Sequence, residues 1–262
     1  MSSIHVFTFN ILTDNGTRTG ITSFAERSKL FEKHFLSYGP DLIGFQETMP
    51  YEREWLKDNL KDFDVYGMGR NADLTGESNV IACRKDRFEL VTLDMFWLSD
   101  TPRVPGSRFH SDQSSCPRIC MDALLADKQS GRCLRFYNTH LDHKGELAQA
   151  QGISLILARI AADYAENPLP VILTGDMNVT PESAVYKSVT EFTGCGRPLR
   201  DVSANTGLTY HGFRHDGFGA KIDYIFTTLP CDETKTAAIK DEENGCMLSD
   251  HYPVGAVLEL GE

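Results

Sequence analysis

The sequence predicts an α/β protein in which two mixed β-sheets pack together and helices lie outside them. Strand-like and helix-like segments alternate along all 262 residues. Several neighbouring strands are joined by tight turns, which is typical of antiparallel pairs and not of a strict β-α-β repeat. Hydrophobic residues make up 41% of the chain, and this length is enough to bury a large core. The length allows one large α/β domain or two small ones, and we expect a single domain over residues 1–262.

The amino-terminal part predicts one helix among four strands. Apolar residues recur at helical spacing over residues 23–36, where Ser23 and Glu26 fit a capping box. Apolar or alternating segments predict strands at residues 4–10, 41–46, 79–85 and 88–99, the last two joined by a tight turn.

The carboxy-terminal part begins with a break rich in Pro, Gly and Ser at residues 100–118, which predicts a long surface loop. The segments "ICMDALLAD" and "RCLRFYNTH" then predict a hairpin around "KQSG". A helix is expected at residues 144–167, and another at "TPES", where Thr180 precedes Pro181. Three further strands are predicted at residues 171–174, 221–227 and 253–260.

The charge and cysteine content restrict the function classes. A net charge of −11 argues against binding long nucleic acids through a basic face. It does not exclude a nuclease, because bound divalent cations supply positive charge at the site itself. The seven cysteines form no CxxC pair, which disfavours structural zinc and fits a reducing cytosol. There is no apolar run of about 18 residues and no secretory signal. We expect a cytoplasmic protein that binds no membrane and needs no obligate protein partner.

The stretch "VILTGDMNV" at residues 171–179 places Asp176 and Asn178 directly after a buried strand. Asp, Asn and Gly are common turn formers, so a turn is one explanation. The alternative is a catalytic pair, because residues two apart in an extended chain point to the same side. The tetrapeptide alone leaves both open.

Charged and amide side chains collect at or beside the predicted strand ends. They are Asn10, Gln46, Glu47, Glu77, His140, Asp176, Asn178, Asp223, Asp250 and His251. Each alone has an ordinary explanation as a turn residue, a helix cap, a surface residue or a structural histidine. Together they predict one site, because strand ends in α/β proteins converge on one rim. Clustered carboxylates repel one another unless a metal or protons hold them, and hard oxygen ligands suit Mg²⁺, with Mn²⁺ as an alternative.

The ordered set "FN…QE…GE…NTH…GDMN…IDYIF…SDH" resembles the endonuclease/exonuclease/phosphatase superfamily over nearly the whole chain. The segments "FWLSDTP", "NTHLDHKG" and "GLTYHGF" are most similar to bacterial members on the deadenylase-like branch. The resemblance implies a four-layer α/β/β/α sandwich with one active-site cleft between the two sheets.

The resemblance also implies metal and substrate residues. Asn10 and Glu47 match the metal-binding Asn and Glu, and Asp250 matches an acidic residue near the metal. Arg118 in "CPRIC" resembles an arginine that approaches the phosphate. Gln46 accompanies Asn10 and Glu47 in the motif, and we assign Arg118 and Gln46 to substrate binding.

The implied catalytic residues centre on Asp176, which matches the residue that orients or deprotonates the attacking water. Asn178 matches the Asn that stabilises the oxyanion on phosphorus. Two histidine–carboxylate pairs complete the set, namely His140 with Glu77 and His251 with Asp223.

The sequence departs from its relatives in three places. Leu12 occupies a position where some nucleases carry an acidic residue, and Gln149 stands where bacterial relatives commonly show Arg. A Trp-Asp pair expected before "PRIC" is replaced by "FHSDQSS". These changes concern substrate contacts more than the hydrolytic set.

The predicted function is Mg²⁺-dependent hydrolysis of a phosphate ester by in-line attack of activated water. The preferred substrate is a small phosphorylated metabolite such as a sugar phosphate, given the acidic charge and the lack of a basic track. The alternative is a nuclease for RNA or DNA, for which Tyr210, Phe213 and Phe218 are candidates to stack bases or simply core and loop residues. A non-catalytic binding module is the least favoured hypothesis, because the hydrolytic set is complete.

Overall fold

The computed structural model describes residues 2–261 and contains two six-stranded β-sheets packed face to face. The larger strands are β1 (Ser3–Asn10), β2 (Leu42–Thr48), β3 (Phe63–Gly69), β4 (Ser78–Arg84), β5 (Phe88–Trp97), β6 (Ile119–Asp127), β7 (Cys133–His140) and β8 (Val171–Asp176). They are followed by β9 (Arg200–Asp201), β10 (Asp223–Thr227), β11 (Cys231–Ala238), β12 (Glu242–Glu243), β13 (Cys246–Met247) and β14 (Val254–Glu259). The α-helices are α1 (Phe24–Arg27), α2 (Pro50–Asn59), α3 (Glu146–Glu166) and α4 (Ala184–Thr190).

Each sheet contains one parallel pair of strands at its centre. Sheet A has the order β11-β14-β1-β2-β4-β3, and sheet B the order β5-β6-β7-β8-β10-β9. The parallel pairs are β1 with β2 and β7 with β8; the other neighbours within these two sheets are antiparallel. In these pairs Asn10 lies beside Gln46, and His140 beside Asp176. The carboxyl ends of the central strands therefore meet at one edge of the sandwich.

Three apolar interfaces account for four layers. Ile81 and Leu42 of sheet A pack against Phe136 and Ile172 of sheet B in the middle. The outer face of sheet A is covered by a cluster of aromatic residues from the segments between β1 and β2 and from α2. The outer face of sheet B is covered by α3 and α4. The predicted α/β/β/α sandwich is confirmed.

The helix expected at residues 23–36 is interrupted. It consists of α1, a π-helical turn at Phe31–Phe35 and a 3₁₀ turn at Leu36–Tyr38. Arg27 is buried and donates to the backbone carbonyls of Ile11 and Leu12, which fixes the end of α1. The wider turn brings the rings of Phe31 and Phe35 to 5.5 and 5.2 Å from that of Phe9. Tertiary packing thus overrides the helical periodicity here.

The helix expected to open at "TPES" begins three residues later than Pro181. Ser183 is its N-cap, and its hydroxyl accepts a hydrogen bond of 3.0 Å from the backbone N–H of Tyr186. A serine hydroxyl can accept a hydrogen bond from a free backbone N–H at the start of a helix. Ser183, and not Thr180, has this role here.

Candidate active site

A cleft of about 450 Å³ lies where the carboxyl ends of the central strands of both sheets meet. Eight of the eleven predicted site residues line it: Glu47, Glu77, Arg118, His140, Asp176, Asn178, Asp250 and His251. Asp223 and Asn10 lie directly behind them and contact Asp176 or His251. Gln46 alone is not brought to the cleft. The convergence expected from the strand ends is thus present in the structure.

Asp176 lies at the centre of the cluster because β8 is flanked by the strands that carry His140 and Asp223. Its Oδ1 accepts from the backbone N–H of Asn178 at 2.9 Å, and its Oδ2 accepts from Nδ2 of Asn10 at 3.0 Å. Asn178 has a positive φ of 52°. The "GDMN" segment is therefore both a turn and part of the cleft. The carboxylate of Asp176 lines the cleft and also accepts the hydrogen bond from Asn178 that stabilises the turn.

Asn10 orients carboxylates in this arrangement. Its Nδ2 donates to Asp176 and, at 3.1 Å, to Oε1 of Glu47. Its Oδ1 accepts from the backbone N–H of Leu12 at 3.0 Å, which fixes the direction of the amide. One lone pair of this oxygen stays available, so the metal-ligand role of Asn10 stays a prediction. Leu12, which stands where some nucleases carry an acidic residue, contributes its backbone N–H here.

Glu47 reaches the cleft because β2 bulges there. The register between β2 and β4 shifts between Phe45 and Thr48, and Glu47 has a positive φ of 61°. Such a conformation costs about 1–3 kcal/mol outside glycine and occurs mostly at functional sites. The carboxylate of Glu47 accepts from the backbone N–H of Thr13 at 2.9 Å. The bulge therefore aims a hard oxygen ligand into the cleft.

His251 is a cation at neutral pH. Its Nδ1 lies 2.8 Å from Oδ2 of Asp223, and its Nε2 lies 3.8 Å from Oδ2 of Asp176. Burial opposes the charged imidazolium, but the carboxylates of Asp223, Asp176 and Asp250 outweigh it and raise the pKa of His251 to about 10.

His140 is neutral, although it lies only 3.5 Å from the same carboxylate oxygen of Asp176. Burial, together with the charges of Arg118 and Arg70, lowers the pKa of His140 well below its ordinary value. Burial and the charge of Asp223 raise the pKa of Asp176. Charged His251 and neutral His140 therefore both lie beside Asp176. The carboxylate of Asp176 takes up a proton more readily than that of an exposed Asp.

Two predicted roles need correction. Glu77 forms an ion pair with Nη1 of Arg70 at 2.8 Å, so it is not the carboxylate partner of His140. Gln46 is fully buried, and its Nε2 donates at 2.7 Å to Oδ1 of Asn138 on the opposite sheet. Gln46 cannot touch a substrate from there. Its neighbour Glu47 faces the cleft instead, because the bulge turns the chain.

Arg118 is 4% exposed and contributes buried donors to the cleft. Its Nη2 donates to Nδ1 of His143 at 2.9 Å, and burial and the charge of Arg118 lower the pKa of His143. Within residues 2–261, Nε and Nη1 of Arg118 have no hydrogen-bond partner. Buried guanidinium donors without acceptors are costly, and an anion in the cleft would satisfy them.

Arg70, His143 and Tyr210 also line the cleft, and the sequence reasoning did not assign them to the catalytic set. His143 lies inside the motif "NTHLDHKG", and Tyr210, a candidate to stack bases, lies inside "GLTYHGF"; these two motifs were the available signals. Gln149 donates to the carbonyls of Asp142 and Asn178, at 2.7 and 3.3 Å. It therefore ties together two loops of the cleft.

Asp142 anchors the loop that carries Arg118, and its replacement tests this anchor. Although burial opposes its ionisation, hydrogen bonds from Ser114 and from the backbone N–H groups of Gly145 and Lys144 lower the pKa of Asp142 from 3.8 to about 2. This lowering of the pKa of Asp142 corresponds to about 2 kcal/mol in the free energy of unfolding at neutral pH. Because the folded pKa is depressed, the stabilisation is complete above about pH 5 and disappears as the pH falls from about 4 to 2.

We therefore expect Asp142→Asn to lower the free energy of unfolding by about 2 kcal/mol at pH 7. Urea unfolding at pH 7 and at about pH 2.5 measures this, and the difference in unfolding free energy between the variant and wild type must shrink at the lower pH. Asp232→Asn on the exposed strand β11 is the control. An equal loss at both pH values would contradict the ionic anchor.

The sequence profile described as "Endonuclease/Exonuclease/phosphatase family" matches residues 7–251, which is nearly the whole chain. The chain belongs to the endonuclease/exonuclease/phosphatase family. Members of this family are hydrolytic phosphoesterases.

Solved structures of family members superpose closely on this one. A family protein from Bacteroides vulgatus is 29% identical with a TM-score of 0.85, and each chain is covered completely. A mannosyl-6-phosphatase from Bacteroides thetaiotaomicron is 26% identical with a TM-score of 0.85, over 98% of this chain and 100% of that one. Among curated proteins, a probable CCR4-Not complex 3'-5'-exoribonuclease subunit Ccr4 from Encephalitozoon cuniculi is 26% identical over 97% of this chain. This chain spans 62% of the length of that relative.

Phosphoesterases of this family generally depend on divalent metal ions, and the residues of the cleft fit such an ion. Asp176, Asp223 and His251 each offer an atom within 4.8 Å of the others. Because His251 is protonated and bonded to Asp223, we interpret these three as an ion-paired group. Burial and the charge of Glu47 raise the pKa of Asp250 despite His251. A hard cation between Glu47 and Asp250 would relieve their repulsion.

No helix in the described part of the chain is both long and apolar enough to cross a membrane.

Proposed function

We propose that this protein hydrolyses the phosphate monoester of a small metabolite, such as a sugar phosphate, with Mg²⁺ as cofactor and Mn²⁺ as an alternative. The observation that carries the proposal is the pair of arginines, Arg70 and Arg118, facing the acidic side of the cleft. A monoester carries about two negative charges and three non-bridging oxygens near neutral pH. The free donors of Arg118, with His143 beside it, suit such a group. A mannosyl-6-phosphatase among the similar structures supports the same substrate class.

The residues of the cleft divide the work of hydrolysis. Asp176 orients the attacking water and takes its proton, and its raised pKa favours this transfer near neutral pH. His251, as a cation, and neutral His140 donate to the phosphoryl oxygens, together with Asn178. Asp223 holds the imidazolium of His251 in place.

Glu47 and Asp250 are the residues that would hold the divalent cation. When bound, it supplies positive charge that neutralises the phosphoryl group and assists the leaving oxygen. Asn10 keeps the carboxylate of Glu47 directed into the cleft.

A nuclease is the second candidate, and a pair of aromatic rings beside His251 favours it. The rings of Tyr210 and Phe218 lie 6.2 Å apart, and Tyr210 lies 4.9 Å from the ring of His251. Phe218 is 46% exposed, so it could stack a base next to the cleft. The similarity to an exoribonuclease subunit points the same way. Phe213, the third aromatic candidate, packs edge-on against His211, with ring centroids 6.1 Å apart.

The wild-type protein with Mg²⁺, assayed against sugar phosphates, phosphoinositides, single-stranded RNA and abasic DNA, separates the two functions. We expect inorganic phosphate from sugar phosphates and no shortening of oligonucleotides. Shortened RNA or DNA with intact sugar phosphates would contradict the proposal.

Arg118→Met is expected to raise KM for the sugar phosphate by about 10- to 100-fold, because a hydrogen bond to a charged group contributes about 1.5–3 kcal/mol. Arg214→Met is the matched control, since Arg214 lies over the ring of Phe218 and does not line the cleft. Steady-state kinetics measures both. If Arg214→Met raised KM as much as Arg118→Met, the substrate would extend over the aromatic loop, and the assignment of Arg118 as the phosphate-binding residue would fail.

A further inference from the structure

The active site is assembled from two separate sheets, and the layer of side chains directly beneath it is polar. Deeper in the sandwich the sheets meet through apolar side chains such as Ile81 and Phe136. Beneath the cleft they meet through the buried amides of Gln46, Asn79 and Asn138. Apolar packing is non-directional, whereas hydrogen bonds fix distance and angle.

Asn138 of sheet B makes the central connection. Its Nδ2 donates to the carbonyl of Phe45 on β2 at 2.8 Å and to that of Val80 on β4 at 3.0 Å. Phe45 and Val80 form the last regular pair before the bulge that turns Glu47 into the cleft. The Oδ1 of Asn138 accepts from Nε2 of Gln46 at 2.7 Å and from the hydroxyl of Thr174 at 3.2 Å. Every hydrogen-bonding position of this buried amide is used.

A second connection runs in the opposite direction. Asn79 of sheet A is buried, and its Nδ2 donates at 2.8 Å to the carbonyl of Ile119 on β6 of sheet B. Ile119 directly follows Arg118, and Asn79 lies two residues after Glu77. This bond therefore fixes the arginine side of the cleft.

The close approach of the sheets shows that this layer sets their spacing. A Cβ built on Gly44 of β2 would lie 2.3 Å from Oγ1 of Thr174 and 2.5 Å from Oδ1 of Asn138. No added side chain fits between the sheets at this point, where the amides of Gln46 and Asn138 and the hydroxyl of Thr174 meet.

We propose that Gln46, Asn79 and Asn138 form an inter-sheet clamp that sets the width of the catalytic cleft. In this clamp Asn138 is a positioning residue for the chemical step and Asn79 is a positioning residue for phosphate binding. Asn138 lies two residues before His140, and Gln46 lies one residue before Glu47. Two contacts between the sheets depend on the spacing, namely Asn10 to Asp176 at 3.0 Å and His251 to Asp223 at 2.8 Å. The inference rests on the hydrolytic site proposed above but not on which ester is cleaved.

The variants Asn138→Leu, Asn138→Ser and Asn79→Ala test the clamp, with Thr227→Val as control. Thr227 is equally buried, and its hydroxyl donates at 2.8 Å to the carbonyl of Val171 within its own sheet. Thr227 lies at one end of β10, and Asp223 lies at the other end. The readouts are kcat and KM for the ester that wild type hydrolyses, Tm, and crystal structures that give the separation of Asn10 from Asp176.

We expect the Asn138 variants to lose about 10- to 100-fold in kcat with KM within threefold, since a misplacement of 1 Å can cost about 100-fold. We expect Asn79→Ala to raise KM at least about fivefold with kcat within threefold, because it acts through Arg118. The Asn10–Asp176 separation should lengthen in the Asn138 variants and stay at its wild-type value in Thr227→Val. Asn138→Ser keeps the experiment informative if Asn138→Leu does not fold.

Folded Asn138 variants with wild-type kcat, or with an unchanged Asn10–Asp176 separation, would overturn the clamp. So would an equal loss of kcat in Thr227→Val. If wild type hydrolysed no ester tested, the proposed function would fail, and the crystallographic separation alone would decide whether the clamp exists.

Discussion

Asp176→Asn is expected to lower kcat at least about 1,000-fold in a protein that remains folded. Asparagine has the same shape and still accepts from the backbone of Asn178 through its oxygen, but its amide nitrogen cannot accept the hydrogen bond that Asp176 receives from Asn10. It cannot take a proton from water, and general-base catalysis contributes about 10²–10⁴ in rate. The measurement is kcat with saturating Mg²⁺ and substrate.

The same variant should remain folded, with a Tm close to that of wild type. The folded protein raises the pKa of Asp176, so its ionised form lowers the stability of the folded state at neutral pH. Removing the charge removes this cost and offsets the hydrogen bond that the variant loses from Asn10. Asp216→Asn, at an exposed ion pair with Arg214, is the matched control. A folded Asp176→Asn protein with wild-type kcat would show that this residue is not the base.

His251→Ala is expected to lower kcat by about 100- to 1,000-fold, the usual effect of removing one preorganised donor to a developing oxyanion. KM should change less, because the stabilised charge develops in the transition state. The measurement is kcat and KM at pH 7.5 with the sugar phosphate that wild type prefers.

Asp223→Asn tests whether catalysis needs the positive charge of His251 and not only its imidazole ring. Asp223 is the carboxylate that contributes most to the raised pKa of His251, which is about 10. Without it the pKa falls, and the cationic imidazolium is lost at a lower pH. We expect kcat of the variant to decline between pH 8 and 9.5, where wild type stays level because Asp176 is already ionised. Identical alkaline profiles for the two proteins would contradict a catalytic cation at His251.

Most of the site could be predicted because strand ends in an α/β sandwich converge on one rim. The residues of "GDMN", "NTH" and "SDH" sit on regular strands or directly beside them, so their direction follows from the strand. Gln46 and Glu47 could not be separated by the same reasoning. The bulge in β2 and the positive φ of Glu47 decide which of the two faces the cleft, and neither has a sequence signal in "FQET".

The prediction that Glu77 pairs with His140 was wrong for a related reason. Arg70 lies seven residues earlier, in the connection between β3 and β4, and only the turn of that connection brings it to the carboxylate. Strand β3 itself was not predicted, because the glycines in "FDVYGMG" obscure its alternation. The polar strand β11, "CDETKTAA", was missed because it lies at a sheet edge and needs few apolar residues.

Hydrolysis of a sugar phosphate in water enriched in ¹⁸O, followed by mass spectrometry of both products, tests the central claim most directly. In-line attack of a water activated by Asp176 places one ¹⁸O in the released inorganic phosphate and none in the sugar, and Asp176→Asn releases both products at least about 1,000-fold more slowly. Label in the sugar hydroxyl, or no phosphate from any monoester while oligonucleotides are shortened, would contradict the account.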